Sequence, residues 1–342
     1  MIIALANRNG NIIPRAHTYV KESVAQKNNP LGLSASRSSW AKQIVFDEDA
    51  DYTFFAGCGY QTMKYSVEMI NAAKRMQKVG ISMDATMGFS SLLSKTHIDM
   101  PGFAAKILSY GKTDQYTDVL IRAVSVLKKL GLKIDYLGDD EPCCGSPLYY
   151  SGYVKDFEKN AERFIKTISE KGKKHLIGLI PACTNSIKTY YQKLNVESNF
   201  EIRHFIEVVA ERIRNNKIRM ALSKNMKVTY HDPCQLSRYL EIVEEPRFVM
   251  SKIEGLELVE AEKDHIKKWS SCCGGGGGLE VVSPELSEKI AVKRVKQLID
   301  TGASTIVTCC PFCILQLRNG VKKLNSNVNV IDLAELIDDS LQ

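Results

Sequence analysis

The ten cysteines of this 342-residue chain fall into two spaced sets, and that spacing constrains the fold more than any other feature. In the second half, Cys234 is followed after 37 residues by Cys272-Cys273, and after 36 more by Cys310-x-x-Cys313. The first half carries Cys58, then Cys143-Cys144 after 84 residues, then Cys183 after 38 more. Set "NAERFIKTISEKGKKHLIGLIPAC" above "IAVKRVKQLIDTGASTIVTCCPFC". Ala161 then falls on Ala291, Lys166 on Lys296, Ile168 on Leu298, Gly172 on Gly302, Pro181 on Pro311 and Cys183 on Cys313, without a gap. Such a register describes two copies of one supersecondary unit. It also sets Ile180 where the second copy has Cys310, so the first copy lacks one thiol.

Each copy shows the same coarse pattern. Thr117–Leu130, Asn160–Lys171 and Leu286–Asp300 have the periodicity of amphipathic helices, each ending near a glycine. β-Branched or aromatic runs precede the cysteines in "DYTFFAGC", "LKIDYLGDDEPCC", "KVTYHDPC" and "STIVTCC". Strands alternating with helices predict an α/β fold: a tandem pseudo-twofold repeat, each half a small, mostly parallel sheet with flanking helices. The cysteines then lie beyond strand C-terminal ends, where such sheets place ligands. The expected organisation is an N-terminal extension over 1–50 that docks on a partner, a first domain over 51–200 with an insertion near 81–115, a helical linker over 201–226, and a second domain over 227–342.

No apolar run approaches the roughly 18 residues that span a bilayer, so the chain reads as cytoplasmic and without a transmembrane segment. There, ten clustered cysteines point to metal or redox chemistry rather than to disulfides. The net charge of +7 is spread over solvated helix faces, and nucleic acid is not expected as a partner. Soft thiolates select zinc or iron–sulfur clusters. The five thiolates of the second copy exceed a tetrahedral zinc site, which favours an iron–sulfur centre there. The four of the first copy leave zinc and iron–sulfur both open. "CCGGGGG" gives a reason for the choice: bare backbone N–H groups, at Gly274 and Gly275 and at Gly145 in the first copy, can reach cluster sulfurs. The run is not a dinucleotide loop, because the third glycine of that fingerprint would fall on Leu279. Cys309 reads as a buried strand residue, His231 as a support behind the ligands, Asp139 to Glu141 as a polar turn, and Tyr149, Tyr150 and Tyr153 as core or pocket wall.

"HDPCQLSRYLEIVEEPR", "CCGGGGG" and "TCCPFC" resemble the CCG (cysteine-rich) domain family, whose members include the B- and D-type subunits of heterodisulfide reductases. The resemblance implies a non-cubane 4Fe-4S cluster on Cys234, Cys272, Cys273, Cys310 and Cys313, which would be the catalytic centre. It implies metal on Cys58, Cys143, Cys144 and Cys183, where the loss at Ile180 leaves a second iron–sulfur cluster or zinc. It further implies a B-type subunit of a heterodisulfide-reductase-like complex, of the sulfur-oxidising kind, acting on a disulfide, a thiol or protein-bound sulfur. Its partners would be a ferredoxin-like C-type subunit and a flavoprotein A-type subunit. The alternatives are an electron-transfer subunit of a lactate, glycolate or succinate oxidoreductase, and a zinc-bearing scaffold. A substrate pocket is expected between the two Cys-Cys-Gly turns, bordered by Tyr149 to Tyr153.

Overall fold

The computed structural model describes residues 15–33, 37–78, 114–194 and 198–342. They build two four-stranded sheets. The first contains β1 (Tyr52–Phe55), β2 (Ile134–Tyr136), β3 (His175–Gly178) and β4 (Glu201–His204), in the order β2-β1-β3-β4. The second contains β5 (Met220–Tyr230), β6 (Ile253–Leu258), β7 (Thr305–Thr308) and β8 (Asn329–Asp332), in the equivalent order β6-β5-β7-β8. Every pairing within them is parallel. β1 is buried from Thr53 on and β7 along its whole length, as strands of a parallel sheet covered on both faces are. The expected tandem α/β repeat is therefore the architecture.

In chain order the α-helices are α1 (Arg15–Lys27), α2 (Cys58–Lys78), α3 (Gln115–Lys129), α4 (Ser146–Tyr150), α5 (Val154–Glu170), α6 (Pro181–Asn185) and α7 (Phe205–Asn215). The second copy adds α8 (Glu244–Ser251), α9 (Leu279–Val282), α10 (Pro284–Ile299), α11 (Pro311–Lys323) and α12 (Leu333–Ser340). The aligned helices α5 and α10 end alike: Gly172 and Gly302 follow them at φ +66° and +73°, a region closed to most side chains. Asp114 caps α3 by accepting from the N–H groups of Tyr116 and Thr117. The rest of the expected insertion, 81–113, lies outside the described residues.

Two expectations are corrected. Within residues 1–50, the described part is no free arm, because it packs on its own chain: Val24, Tyr19 and Trp40 are buried, and the Trp40 ring meets Tyr136 and Phe54. Residues 201–226 are not simply helical. They hold β4, α7 and the start of β5, and β4 pairs with β3 as the fourth strand of the first sheet. Short edge strands such as "EIRH" offer too little periodicity to be seen in sequence.

The copies meet around a pseudo-twofold axis. Asn185 in the first copy donates to Gln235 Oε1 in the second at 2.8 Å. On the other side of the axis, Gly59 lies against Pro311. Tyr60 donates to buried Asp332, and Arg122 and Ser125 of α3 bind Asp338 of α12.

Candidate metal-binding sites

In the second copy, β5 ends at Tyr230 and delivers His231, Asp232 and Cys234, while β7 delivers Cys310 and, one helical turn on, Cys313. The Cys272-Cys273 turn comes down between them. Cys273 Sγ and Cys313 Sγ are 3.3 Å apart, and a ring nitrogen of His231 lies with both sulfurs inside a 4.8 Å sphere of mutual distances. Cys310 contacts Cys313, Cys272 contacts Cys273, and Cys234 interacts electrostatically with Cys310 and Cys273. All five thiols of the expected set therefore converge. They are unbridged; Cys273, Cys310 and Cys313 are buried, Cys234 is half-buried and Cys272 is exposed.

Backbone and charge prepare this cluster for anionic sulfur. Gly274 N–H donates to Cys272 Sγ at 3.3 Å and Gly275 N–H to Cys273 Sγ at 3.4 Å. Hydrogen bonds from Cys272, Cys313 and His231 hold the Cys273 thiol well below the ordinary thiol range, while sulfur neighbours and burial push Cys313 up. Burial raises Cys234 to about 11. Arg294 Nε donates to His231 Nδ1 at 3.0 Å, in a fully buried contact. Arg247 grips Asp232 with both Nη atoms at 2.8 and 2.9 Å, which fixes the turn before Cys234. Cys309, as expected, is a buried neighbour: it points to Tyr230 OH at 3.3 Å.

The first site repeats this plan with thiols alone. Cys58 interacts with Cys143, Cys143 with Cys144 and Cys144 with Cys183, and all four residues are buried. Gly145 N–H donates to Cys143 Sγ at 3.5 Å, the counterpart of the Gly274 bond. The Ile180 side chain fills the missing position: its Cδ1 would stand 2.9 Å from a β-carbon on Gly57, beside Cys183 Sγ at 3.1 Å. Glu141, read as part of a polar turn, is instead fully buried. It accepts from Ala56 N–H at 2.7 Å and Gly57 N–H at 3.0 Å, the turn that leads into Cys58. Burial lifts its carboxyl to about 7 against the charge of Arg37. Asp139 and Asp140 are exposed; Asp139 accepts from Arg37 N–H, and Asp140 pairs with Lys171.

The donor sets fit iron–sulfur chemistry at the second site, where five thiols and sulfur-directed N–H groups meet, and a four-thiol metal at the first. Sequence reasoning missed several residues that hold them. Asn28, at φ +56°, accepts from Cys143 N–H at 2.9 Å, and Arg37 donates to Glu141 O at 2.7 Å. Arg294 was visible as a difference between the aligned copies, where it stands over Phe164. His231 likewise falls on Phe55 when Cys234 is set on Cys58, and Phe55 packs edge-to-face on Phe164 at 5.5 Å.

Contacts between the copies are made in part by the helices that begin at the cysteines and in part by α3 against α12, while each Cys-Cys-Gly turn is held by hydrogen bonds from its own copy. A cleft of about 580 Å³ lies between α2 (Val67, Asn71) and the residues behind the glycine run (Glu280, Ser287, Gln316), not between the two turns. The expected tyrosines part ways: Tyr153 lies against Thr18 and Lys21 of α1, whereas Tyr149 and Tyr150 pack on Tyr190. Tyr149 stacks on Tyr190 at 4.1 Å, as core. Burial above all raises the Tyr150 phenol far above its ordinary range, and Tyr190, Cys144 and Cys234 lie near enough to add to the shift.

Residues 110–188 and 228–318 match the cysteine-rich CCG domain. The second match spans all five thiols of its copy; the first leaves Cys58 outside, although Cys58 follows β1 of the first sheet and opens α2. Over 220 residues the chain is 37% identical to the D-type subunit of dihydromethanophenazine:CoB–CoM heterodisulfide reductase from Methanosarcina mazei, covering 63% of this chain and 53% of the relative. It is 33% identical to the B-type subunit of fumarate reductase (CoM/CoB) from Methanothermobacter marburgensis, over 65% of this chain and 43% of the relative. It is 30% identical to EtfAB:quinone oxidoreductase of Syntrophomonas wolfei, over 66% and 32%. The chain thus spans about half of these proteins or less. Among the described residues, no helix is long and apolar enough to cross a membrane.

Proposed function

Because the chain carries two copies of the CCG cysteine-rich domain and is homologous to iron–sulfur oxidoreductase subunits, we propose that it is the disulfide- or thiol-handling subunit of a heterodisulfide-reductase-like complex. Cys234, Cys272, Cys273, Cys310 and Cys313 would hold a non-cubane 4Fe-4S cluster. Cys58, Cys143, Cys144 and Cys183 would hold a second iron–sulfur centre or zinc. The observation that carries the reading is the convergence of five unbridged thiols, with Cys272 exposed at its edge. When bound, the cluster supplies single electrons and Lewis-acidic iron to sulfur. The chain's own groups do the rest. Gly274 and Gly275 N–H orient the Cys272 and Cys273 sulfurs, the Asp232–Arg247 pair fixes the turn before Cys234, and buried β7 and α11 keep water from the inner face. Electrons would come and go through ferredoxin-like and flavoprotein subunits, and the substrate would be a small disulfide, a thiol or a protein-borne sulfur.

Protein purified without oxygen should be brown, carry about four irons in the second copy, and show a paramagnetic signal on oxidation with thiol. Cys272→Ser or Cys310→Ser should abolish that signal; its survival in either variant overturns the ligand set. A second reading, electron transfer alone, is favoured by the fumarate- and quinone-linked names of two relatives. Turnover of a disulfide by the assembled complex separates the two.

A further inference from the structure

The two copies differ at one buried pair beside the thiols. In the first, Phe55 and Phe164 pack ring on ring; in the second, His231 and Arg294 occupy the aligned positions and hydrogen-bond at 3.0 Å. Arg294 is completely buried, and its Nη1 donates to His265 O at 2.9 Å and to Gln297 Oε1 at 3.1 Å. Its Nη2 has no hydrogen-bond partner among the described residues. Burial lowers its pKa only to about 10, so the guanidinium stays charged at neutral pH. A buried cation with an unpaired donor is a costly feature that an apolar pair at this very place avoids. Compensating negative charge lies nearby: Asp232, already paired with Arg247, acts on Arg294 first, and the Cys273 and Cys313 sulfurs act next.

The geometry of the relay is directional. Nδ1 of His231 accepts from Arg294 Nε, so the ring hydrogen is on Nε2, the nitrogen left for Cys273. We propose that Arg294 is a positioning residue that holds His231 as a hydrogen-bond donor to the Cys273 sulfur, and that the pair raises the reduction potential of the second centre. Hydrogen bonds to cluster sulfur and nearby positive charge both stabilise the more negative, reduced state. The inference rests on the reading that the second copy holds an iron–sulfur centre.

The test is a redox titration of the oxygen-free protein, following the paramagnetic signal of the second centre, with iron content measured in parallel. Three variants serve: Arg294→Met, Arg294→Lys, and the double variant His231→Phe with Arg294→Phe, which installs the pairing that the first copy already packs. The midpoint should fall in Arg294→Met and in the double variant, with iron retained and the metal of the first site unchanged. Arg294→Lys keeps the charge but not the fork, and should fall less. Iron-loaded variants with the wild-type midpoint would overturn the inference while leaving the function intact. Loss of iron from the second copy in both Arg294→Met and the double variant would also overturn it, in favour of a purely structural pair. Wild-type protein with no iron in the second copy would overturn both.

Discussion

Asn185 hands its side-chain N–H to Gln235 across the axis that relates the two copies, so the turn after Cys183 touches the turn after Cys234. The pseudo-equivalent contact is between Gly59, after Cys58, and Pro311, between Cys310 and Cys313. The segments that follow Cys58, Cys183, Cys234 and Cys310 therefore also form part of the interface between the copies. A β-carbon on Gly59 would lie 2.8 Å from Ile180 Cδ1 and 3.0 Å from Pro311 Cγ. Gly59 is the second residue of α2, where Gly→Ala gains at most about 1 kcal/mol from backbone entropy, while overpacking costs about 1–3 kcal/mol. Gly59→Ala should therefore lower the thermal midpoint of the whole chain. An unchanged or raised midpoint would mean that the interface yields.

The lost thiol gives a second prediction. With Cys183→Ser the first site keeps three thiols and should lose its metal, while the iron of the second copy stays. Ile180→Cys puts a fifth sulfur beside Cys183 and opposite Gly57, at a side chain that already fills this space. Metal analysis of each variant, with the spectrum of the second centre as internal control, checks both. Wild-type protein with two identical five-thiol clusters would contradict the asymmetry.

The glycine run separates into two parts. A β-carbon on Gly275 would stand 2.8 Å from Gln316 Cγ and 2.9 Å from Phe312 O, whereas Gly276 has nothing within 4 Å. Gly275→Ala should cost about 1–3 kcal/mol by overpacking and disturb the N–H bond to Cys273. Gly276→Ala should be neutral, or stabilise by about 0.4–1 kcal/mol through the unfolded chain. Denaturation midpoints and iron content of the two variants form the comparison, and equal losses would refute the division.

This division marks how far the sequence could be read. The cysteine register disclosed the duplication, the parallel α/β units, both thiol sets and the loss at Ile180, because metal spacing and repeat periodicity are local and strong. "CCGGGGG" announced close backbone, yet only the folded turn separates Gly274 and Gly275 from the three glycines behind them. Glu141 looked like a surface acid because its burial is created by Ala56 and Gly57, 85 and 84 positions away. The packing of residues 15–33 and 37–50 was hidden for the same reason: Trp40 meets Tyr136 only in the fold.

Asp332 supplies a pH dependence. It is fully buried, caps α12 through Ala334 N–H at 2.8 Å, and receives the Tyr60 hydroxyl. Burial raises its carboxyl from 3.8 to about 7, although the Tyr60 and Ala334 bonds oppose the shift. A raised carboxyl favours folding while protonated. Its contribution is complete below about pH 4 and is lost as pH rises through about 7, a change on the order of 4 kcal/mol. Asp332→Asn keeps an acceptor for Ala334 and offers a donor to the Tyr60 oxygen. The variant should therefore lose less stability than the wild type between about pH 5 and pH 8. Parallel urea titrations at the two pH values check this, and identical losses would remove Asp332 as the cause.

Tyr150 breaks a local rule between the two sites. Its hydroxyl is buried and makes no well-formed hydrogen bond among the described residues, although Tyr190 lies near enough to interact with it, and the thiols of Cys144 and Cys234 act on it as well. An unpaired buried hydroxyl costs about 1–3 kcal/mol, so Tyr150→Phe should leave stability unchanged or raise it. Packing alone gives no reason to keep the oxygen, since the Tyr149, Tyr190 and Tyr150 rings would meet as before. A sulfur substrate between the copies would supply the reason, because the phenol O–H could hydrogen-bond to a thiolate as it leaves. A hydrogen bond to a charged group contributes about 1.5–3 kcal/mol. Tyr150→Phe should therefore keep its metals and its spectra, unfold no earlier than the wild type, and turn over a disulfide at least about tenfold more slowly in the assembled complex. Wild-type turnover in a metal-replete Tyr150→Phe protein would make Tyr150 a wall residue and remove the space between the copies as the place where the thiolate leaves.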